Sequence, residues 1–364
     1  MQVDNRFRLK ELQDFSVSVF RRLGCSECNA ALGAEVLAES DKRGIDSHGI
    51  ARLHIYVKWL SRGFAPANPT VQVIRETGST ALVDGGGGLG IMVAPVANQI
   101  CIKKTQENGT AWVSVRNSNH FGIAGYYTGQ ATEKNLIAWA LSNATSQVAP
   151  ARSSQPMLGT NPFSVGIPVP GSFPIMIDMA TSAVAYGKIE IAQRQKERIP
   201  MGWGLDSNGD HTTDPSDLGG DQPYSMLPIG SVPDHGVHKG YCLSALTDIL
   251  SGVLGDSGFG PFGPHFMLPE ISPTPLYGKG LGHLFGAFQV EAITDLAEYS
   301  DRIQAWVSLF RAATRVDPEL PVLIPGEPEQ AAIADRTANG VPLNPEVVST
   351  LQKISADLGV EFPG

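Results

Sequence analysis

The stretch RGIDSHGIARLHIYVKWL, residues 43–60, carries an imidazole, a guanidinium and a phenol at intervals of four: His48, Arg52 and Tyr56. On a helix beginning near Ser47 that spacing stacks the three side chains into one stripe. Ile50, Leu53, Val57 and Leu60 fall on a separate arc that can bury against the body. The residue types suit acid–base work on an anion. A histidine titrates near neutrality, an arginine offers a two-pronged donor to a carboxylate, and a helix N-terminus adds free N–H groups and partial positive charge. Two influences on His48 oppose each other: a helix N-terminus lowers its proton affinity, whereas Asp46 or a bound carboxylate raises it. The plainer alternative is a solvated polar face with an incidental histidine.

A second histidine, His120, lies in SVRNSNHFGIAGYY just after a strand, and α/β proteins often place active residues at strand ends. Alone it reads as a structural histidine; beside the 48–56 stripe it is a second acid or base. In FPIMIDMATSAVAYGKIEIAQ (173–192) a strand ends at Asp178, and Thr181 with Ser182 can cap the following helix. Free N–H groups there, with Lys188 nearby, suit a phosphate or a ribose hydroxyl. Lys239-Gly240 opens a buried-looking helix, GYCLSALTDILSGVL, and offers a similar anion site.

Three other patterns imitate sites. Gly85, Gly87 and Gly90 in TALVDGGGGLGI fit G-x-G-x-x-G between a strand and a helix, which leaves open a dinucleotide fingerprint or a tight turn. DSNGDHTTDPSD has acidic residues at calcium-loop spacing, but the sixth position is His211 rather than glycine and no glutamate closes the loop. Asp234, His235 and His238 hint at a metal without an evident further ligand. Cys25 and Cys28 form one C-x-x-C with no second pair, which reads as two small residues near a helix start.

Helices and an α/β core must hold these groups. Leu9, Leu12, Phe15 and Phe20 share a face that stops at Gly24, and a second helix from about Glu27 to Arg43 stops at Gly44. From Thr70 strands and helices alternate, with strands expected at 70–76, 80–84, 110–115, 136–142, 163–169 and 174–179. Residues 196–238 form a long polar excursion, and helices are expected at about 295–313 and 346–358 around a Pro-rich crossing. The 364 residues carry a net charge of −9 without a basic stripe, which speaks against nucleic acid. The charged start and the lack of an apolar run of about 20 residues speak against a signal peptide or a membrane span. Four scattered cysteines agree with a cytoplasmic protein.

Taken in order, RGIDSHGIARLHIY, VRNSNHFGIAGYY, PMLGTNPFSVGIP, IDMATSAVAYGKI, IPMGWGLDSNGDHTTDP, HKGYCLSALTDILSGVL, GHLFGAF and VLIPGEPE resemble the type-2 malate/L-lactate dehydrogenase family. That family includes L-sulfolactate and ureidoglycolate dehydrogenases and reductases of diketogulonate and cyclic imino acids. The resemblance implies an NAD- or NADP-dependent oxidoreductase interconverting a small L-2-hydroxy acid and its 2-oxo acid, without a metal. It also implies a layered, non-Rossmann α/β core with a mixed sheet, L-sulfolactate dehydrogenase-like, in a homodimer with active sites near the subunit interface. The glycine loop is then a turn, with the cofactor held elsewhere. The chain divides accordingly into an N-terminal helical segment carrying the catalytic groups (1–69), an α/β substrate and dimer region (70–145), a cofactor-binding region (146–290) and a C-terminal helical segment (291–364).

Carried over from the family, His48 is the proton donor and His120 an alternative acid or base. Ser47, Arg52 and Tyr56 take the substrate. Asp178, Met179, Ala180, Thr181, Lys239, Gly240, Pro325, Gly326 and Glu327 take the cofactor. The chain departs from the family at Ala151–Ser154, where many members read W-G-G, and at HGVHKG, where many are richer in glycine. Two rivals stand beside this reading: a reductase of a cyclic imino acid or diketo sugar acid, and a histidine-based hydrolase or lyase with a metal at Asp234, His235 and His238.

Overall fold

The computed structural model describes residues 6–218, 225–274 and 276–363. After a two-residue strand β1 (Arg6–Phe7), α1 (Leu9–Arg22) buries Leu12, Phe15 and Phe20 and ends before Gly24, and α2 (Glu27–Lys42) starts at Ser26, whose hydroxyl accepts the Asn29 N–H. The expected single helix from Ser47 is broken. Two 3-10 turns, Asp46–His48 and Ile50–Arg52, precede α3 (Leu53–Ser61). Gly49 between them is extended, at φ −84° and ψ −150°. The cause is Asp41. Its buried carboxyl accepts the Ile50 N–H at 2.8 Å, and a Cβ on Gly49 would stand 1.8 Å from its Oδ1.

The chain continues through β2 (Gln72–Glu76), β3 (Thr80–Asp84), α4 (Gly90–Asn108), β4 (Thr110–Ser118), α5 (Ala124–Thr132), β5 (Leu136–Ser142), β6 (Phe163–Ile167) and β7 (Ile175–Met179). Then come α6 (Tyr186–Gln195), β8 (Gly204–Leu205), β9 (Ser225–Met226), α7 (Val237–Asp248) with a π turn at 249–253, β10 (Leu281–Gln289), α8 (Leu296–Arg311), α9 (Glu327–Asn339), β11 (Val341–Pro342) and α10 (Pro345–Leu358). The main sheet has the order β2-β3-β4-β10-β5-β6-β7. Only β3 and β4, joined across α4, run parallel; every other neighbouring pair is antiparallel. It is a mixed sheet, as expected, and the six expected strands are in it.

The central strand β10 is the one the sequence hides. Gly282 and Gly286 break its pattern, and glycines weaken a strand. Both are needed where they stand. A Cβ on Gly286 would meet the Trp112 ring at 2.2 Å, and one on Gly282 would meet Ser251 O at 1.8 Å. α4 is apolar almost all round because it is covered on both sides: Ile91, Met92, Val93 and Ala94 are fully buried between the sheet and the N-terminal helices. Gly33 of α2 lets Ile91 and Met92 approach within 3.3 Å of where a Cβ would sit. α7 corrects an expectation in the other direction. Leu246, Ile249, Val253 and Leu254 are exposed, each about half or more, so its apolar residues lie partly outside this chain's core.

Candidate active site

The G-x-G-x-x-G loop lies between β3 and α4, in the place a phosphate-binding loop would occupy, but its groups are committed to its own chain. The N–H groups of Gly85 and Gly87 donate to Arg116 O and Asn117 O at 2.8 Å, and that of Gly86 donates to Asp84 Oδ1. Asn119, buried at the end of β4, donates its amide to Gly87 O and Gly88 O at 3.0 Å. Gly86 and Gly87 turn the loop with φ of +60° and +72°. Gly90 allows a close approach: a Cβ there would lie 2.0 Å from Asn119 O and 2.6 Å from His120 O. The loop is thus a clamp on the backbone that delivers His120.

His120 and His48 meet across one cavity. Their rings lie 5.4 Å apart and nearly parallel, and Phe266 stacks on His120 at 4.1 Å. Ser47 and Arg52 line the same cavity, as do Asp178, Met179 and Ala180 on its far wall. Arg52 is steadied by Nε donating to Ser47 O at 2.6 Å and by Nη1 against Met267 Sδ, while Glu190 stands 4.0 Å from Nη2. No carboxylate takes both prongs of its guanidinium among the described residues, so a substrate carboxylate can.

Burial decides the charge of both histidines. It drives His48 down to about 4, helped by the Arg52 guanidinium, and holds His120 well below the ordinary histidine range, helped by His48, Arg52 and His283. Asp46 does not counter this, since its carboxylate pairs with Arg336. Both imidazoles are therefore neutral at pH 7. Asp178 is pushed up to about 6 by burial. One of its oxygens accepts the Gly125 N–H at 2.8 Å, and neither makes another hydrogen bond among the described residues.

Other expected site residues lie outside the cavity lining. Tyr56 is fully buried behind His120. Thr181 is buried with its hydroxyl on Thr160 O, and Ser182 turns to Val184 O; neither caps α6, whose N-cap is Ala185. Gly240 backs onto Ile229, where a Cβ would stand 2.2 Å from its carbonyl, and Ile229 N–H donates to Thr181 O. Lys239 is exposed in the first turn of α7, beside the N-cap Gly236. Pro325 accepts the Met176 N–H at the edge of β7, and Pro325 with Gly326 lines a second depression that shares Asp178 and Met179 with the cavity. Glu327 closes its own turn through Ile324 N–H and pairs with Arg311.

Sequence reasoning missed Phe266 and Met267, which come from an irregular loop, and His283 on β10. His283 is fully buried, bonded to Ser142 and Ser118 and stacked on Phe121. The metal-like patterns dissolve: among the described residues no three histidine, cysteine, aspartate or glutamate side chains gather as ligands. Asp206 instead closes a turn on the N–H groups of Asn208 and Asp210. Among the described residues no helix is long and apolar enough to cross a membrane.

Known proteins share this fold. Residues 7–352 match the family model described as malate/L-lactate dehydrogenase. A malate dehydrogenase of Pyrococcus abyssi is 36% identical over 96% of this chain and 94% of its own length. The crystal structure of malate dehydrogenase from Entamoeba histolytica superposes with a TM-score of 0.92, at 30% identity over 99% of both chains. The sulfolactate dehydrogenase of Methanocaldococcus jannaschii gives 0.87, at 29% identity over 98% of both. The chain belongs to the malate/L-lactate dehydrogenase family of NAD(P)-dependent 2-hydroxy acid dehydrogenases.

Proposed function

We propose that this enzyme interconverts a small L-2-hydroxy acid of the malate or lactate type and its 2-oxo acid at the cavity between His48 and His120. The observation that carries the reading is the convergence of two neutral imidazoles and an incompletely paired guanidinium on one cavity. Arg52 clamps the substrate carboxylate, with Ser47 beside it, and so presents C2 and its oxygen to the histidines. His48 takes the hydroxyl proton during oxidation and returns it to the oxygen during reduction. Its neutral form is the one oxidation needs. Reduction needs the imidazolium, which a bound carboxylate favours by opposing the Arg52 charge.

Bound nicotinamide dinucleotide, NAD or NADP, supplies the hydride acceptor or donor for C2. The residues present fit such a group. Asp178 offers a ribose hydroxyl a carboxylate oxygen that has no hydrogen-bond partner among the described residues, and Met179 and Ala180 give an apolar wall. The depression at Pro325 and Gly326 continues the cavity past Asp178. Thr181, Gly240 and Glu327 support these walls from outside, while Lys239 stays exposed. A second copy of the chain covers the apolar face of Leu246, Ile249, Val253 and Leu254, in keeping with a homodimer.

The test is turnover with NADH and NADPH against a panel of 2-oxo acids, cyclic imino acids and diketo sugar acids. Activity on oxo acids that falls with Arg52→Leu supports the reading. Silence toward the oxo acids, or turnover confined to cyclic imines, overturns it. Light scattering that shows a monomer would remove the second copy.

A further inference from the structure

We infer that Tyr56 is a positioning residue for His120: its phenol donates to Nδ1 and fixes the imidazole with its proton on Nε2. The oxygen lies 2.7 Å from that nitrogen and makes no other hydrogen bond among the described residues. Tyr56 itself is fully buried on α3 and lines no part of the cavity. Its reach toward a substrate therefore runs through His120.

A second donor faces the same nitrogen. The Gly122 N–H points at Nδ1 from 3.4 Å. The turn that aims it is forced: Gly122 has φ +81°, and a Cβ there would stand 2.5 Å from the Val36 side chain. A neutral imidazole has one donor nitrogen and one acceptor, and the partner of one nitrogen sets the role of the other. Two donors on Nδ1 require its lone pair, which leaves the proton on Nε2. Nε2 has no partner among the described residues, and His120 lines the cavity, so its free edge is the one a substrate meets. Burial also holds the phenol far above its ordinary range, so it keeps its proton to give. Besides Tyr56, the charged or titratable groups acting on His120 are His48, Arg52 and His283, and these three disfavour a positive charge on it.

The consequence is a division of labour, and it rests on the reading of the cavity as the site of oxidoreduction. His120 donates a hydrogen bond from Nε2 to the C2 oxygen and stays neutral. It has no lone pair on that side with which to take the hydroxyl proton, so proton transfer falls to His48.

The test uses the full-length enzyme labelled with 15N-histidine. Long-range proton–nitrogen correlation spectra read the tautomer of His120, whose signal is assigned by its loss in His120→Gln. The wild type is expected to show the Nε2–H form. Tyr56→Phe keeps the ring and removes the hydroxyl; it is expected to populate the Nδ1–H form and to lower kcat about tenfold. KM for the cofactor and the acid limb of the pH profile stay where they are. A wild-type His120 protonated on Nδ1 overturns the proposal even if Tyr56→Phe does not fold. So does a folded Tyr56→Phe with unchanged tautomer and kcat within twofold. A tautomer that shifts in a protein silent toward every 2-oxo acid supports the Tyr56 assignment and removes the dehydrogenase reading instead.

Discussion

The two histidines reach the cavity on supports of opposite character. His120 follows a central strand, is clamped from behind by the glycine loop through Asn119, stacks on Phe266 and has two donors on its inner nitrogen. His48 sits at the end of a 3-10 turn, just before extended Gly49, and among the described residues its Nδ1 has one partner, the hydroxyl of neighbouring Ser47 at 2.9 Å. A group that must hold an oxygen in one place gains from rigidity. A group that must take a proton and give it back needs both charge states, and a single hydroxyl partner can serve either, because it can donate or accept. The contrast separates a fixed donor from a proton carrier, and it can be broken at several points.

The largest effect should come from His48→Gln, which keeps a hydrogen-bonding group but cannot carry the proton. We expect kcat to fall about 10²- to 10⁴-fold with the fold intact by circular dichroism. His120→Gln retains an N–H donor and should lose less than His48→Gln. Equal losses in the two variants would erase the distinction.

Gly90→Ala should come next. Gly90 begins α4 in a conformation open to any residue, so its cost is steric alone: the new Cβ enters the space of Asn119 O and His120 O. Overpacking of this kind costs about 1–3 kcal/mol. Thermal unfolding should show the loss, and kcat should fall with it, since the displaced atoms are the backbone of His120. A loop that instead held phosphate would show mainly a raised KM for the cofactor.

The two supports also differ in how much of them was legible beforehand. Strand alternation exposes a half-buried strand, and β3 to β7 were readable for that reason; β10 was not, because its glycines serve the Trp112 ring and the π turn rather than its own pattern. The pairing of a histidine with an arginine on one segment was legible, but the helix assumed for it was not the true path. An i, i+4 spacing cannot reveal that Asp41, from the preceding helix, captures the Ile50 N–H and breaks the turn. Tyr56 was legible as a partner of chemistry and misplaced by one layer, since spacing gives the face and not the depth. α7 was read as buried because apolar residues look alike in a sequence whether or not their own chain covers them.

Acidity offers a further handle. The folded-state pKa of His48 is about 4, below the 6.5 of an unperturbed histidine. The stability it contributes is therefore present above pH 6.5 and is lost as pH falls toward 4, because the unfolded chain binds the proton first. The same depression moves the acid limb of kcat/KM for hydroxy-acid oxidation toward 4, so activity should persist through pH 5.5, where an ordinary histidine base would be mostly protonated. Asp41 works in the opposite sense. Burial raises it to about 8, so its contribution is full below about pH 4 and is lost as pH rises through 8; Asp41→Asn should flatten that alkaline decline in chemical denaturation.

The smallest effect separates the two supports most cleanly. Ser47→Ala removes the hydroxyl partner of His48 and leaves Arg52 Nε its bond to the Ser47 carbonyl, which the substitution keeps. A neutral hydrogen bond is worth about 1 kcal/mol, or roughly fivefold in rate if all of it is lost in the transition state. The Ser47 hydroxyl can follow His48 through both charge states, so little of that bond is specific to either, and the loss in kcat should stay below fivefold. Tyr56→Phe, at a hydrogen bond of 2.7 Å against 2.9 Å, should cost more, because the phenol secures a single tautomer. Steady-state kinetics on the two variants at pH 7 and 9 make the comparison. A larger loss from Ser47→Ala than from Tyr56→Phe would mean that His48 is the fixed group and His120 the carrier.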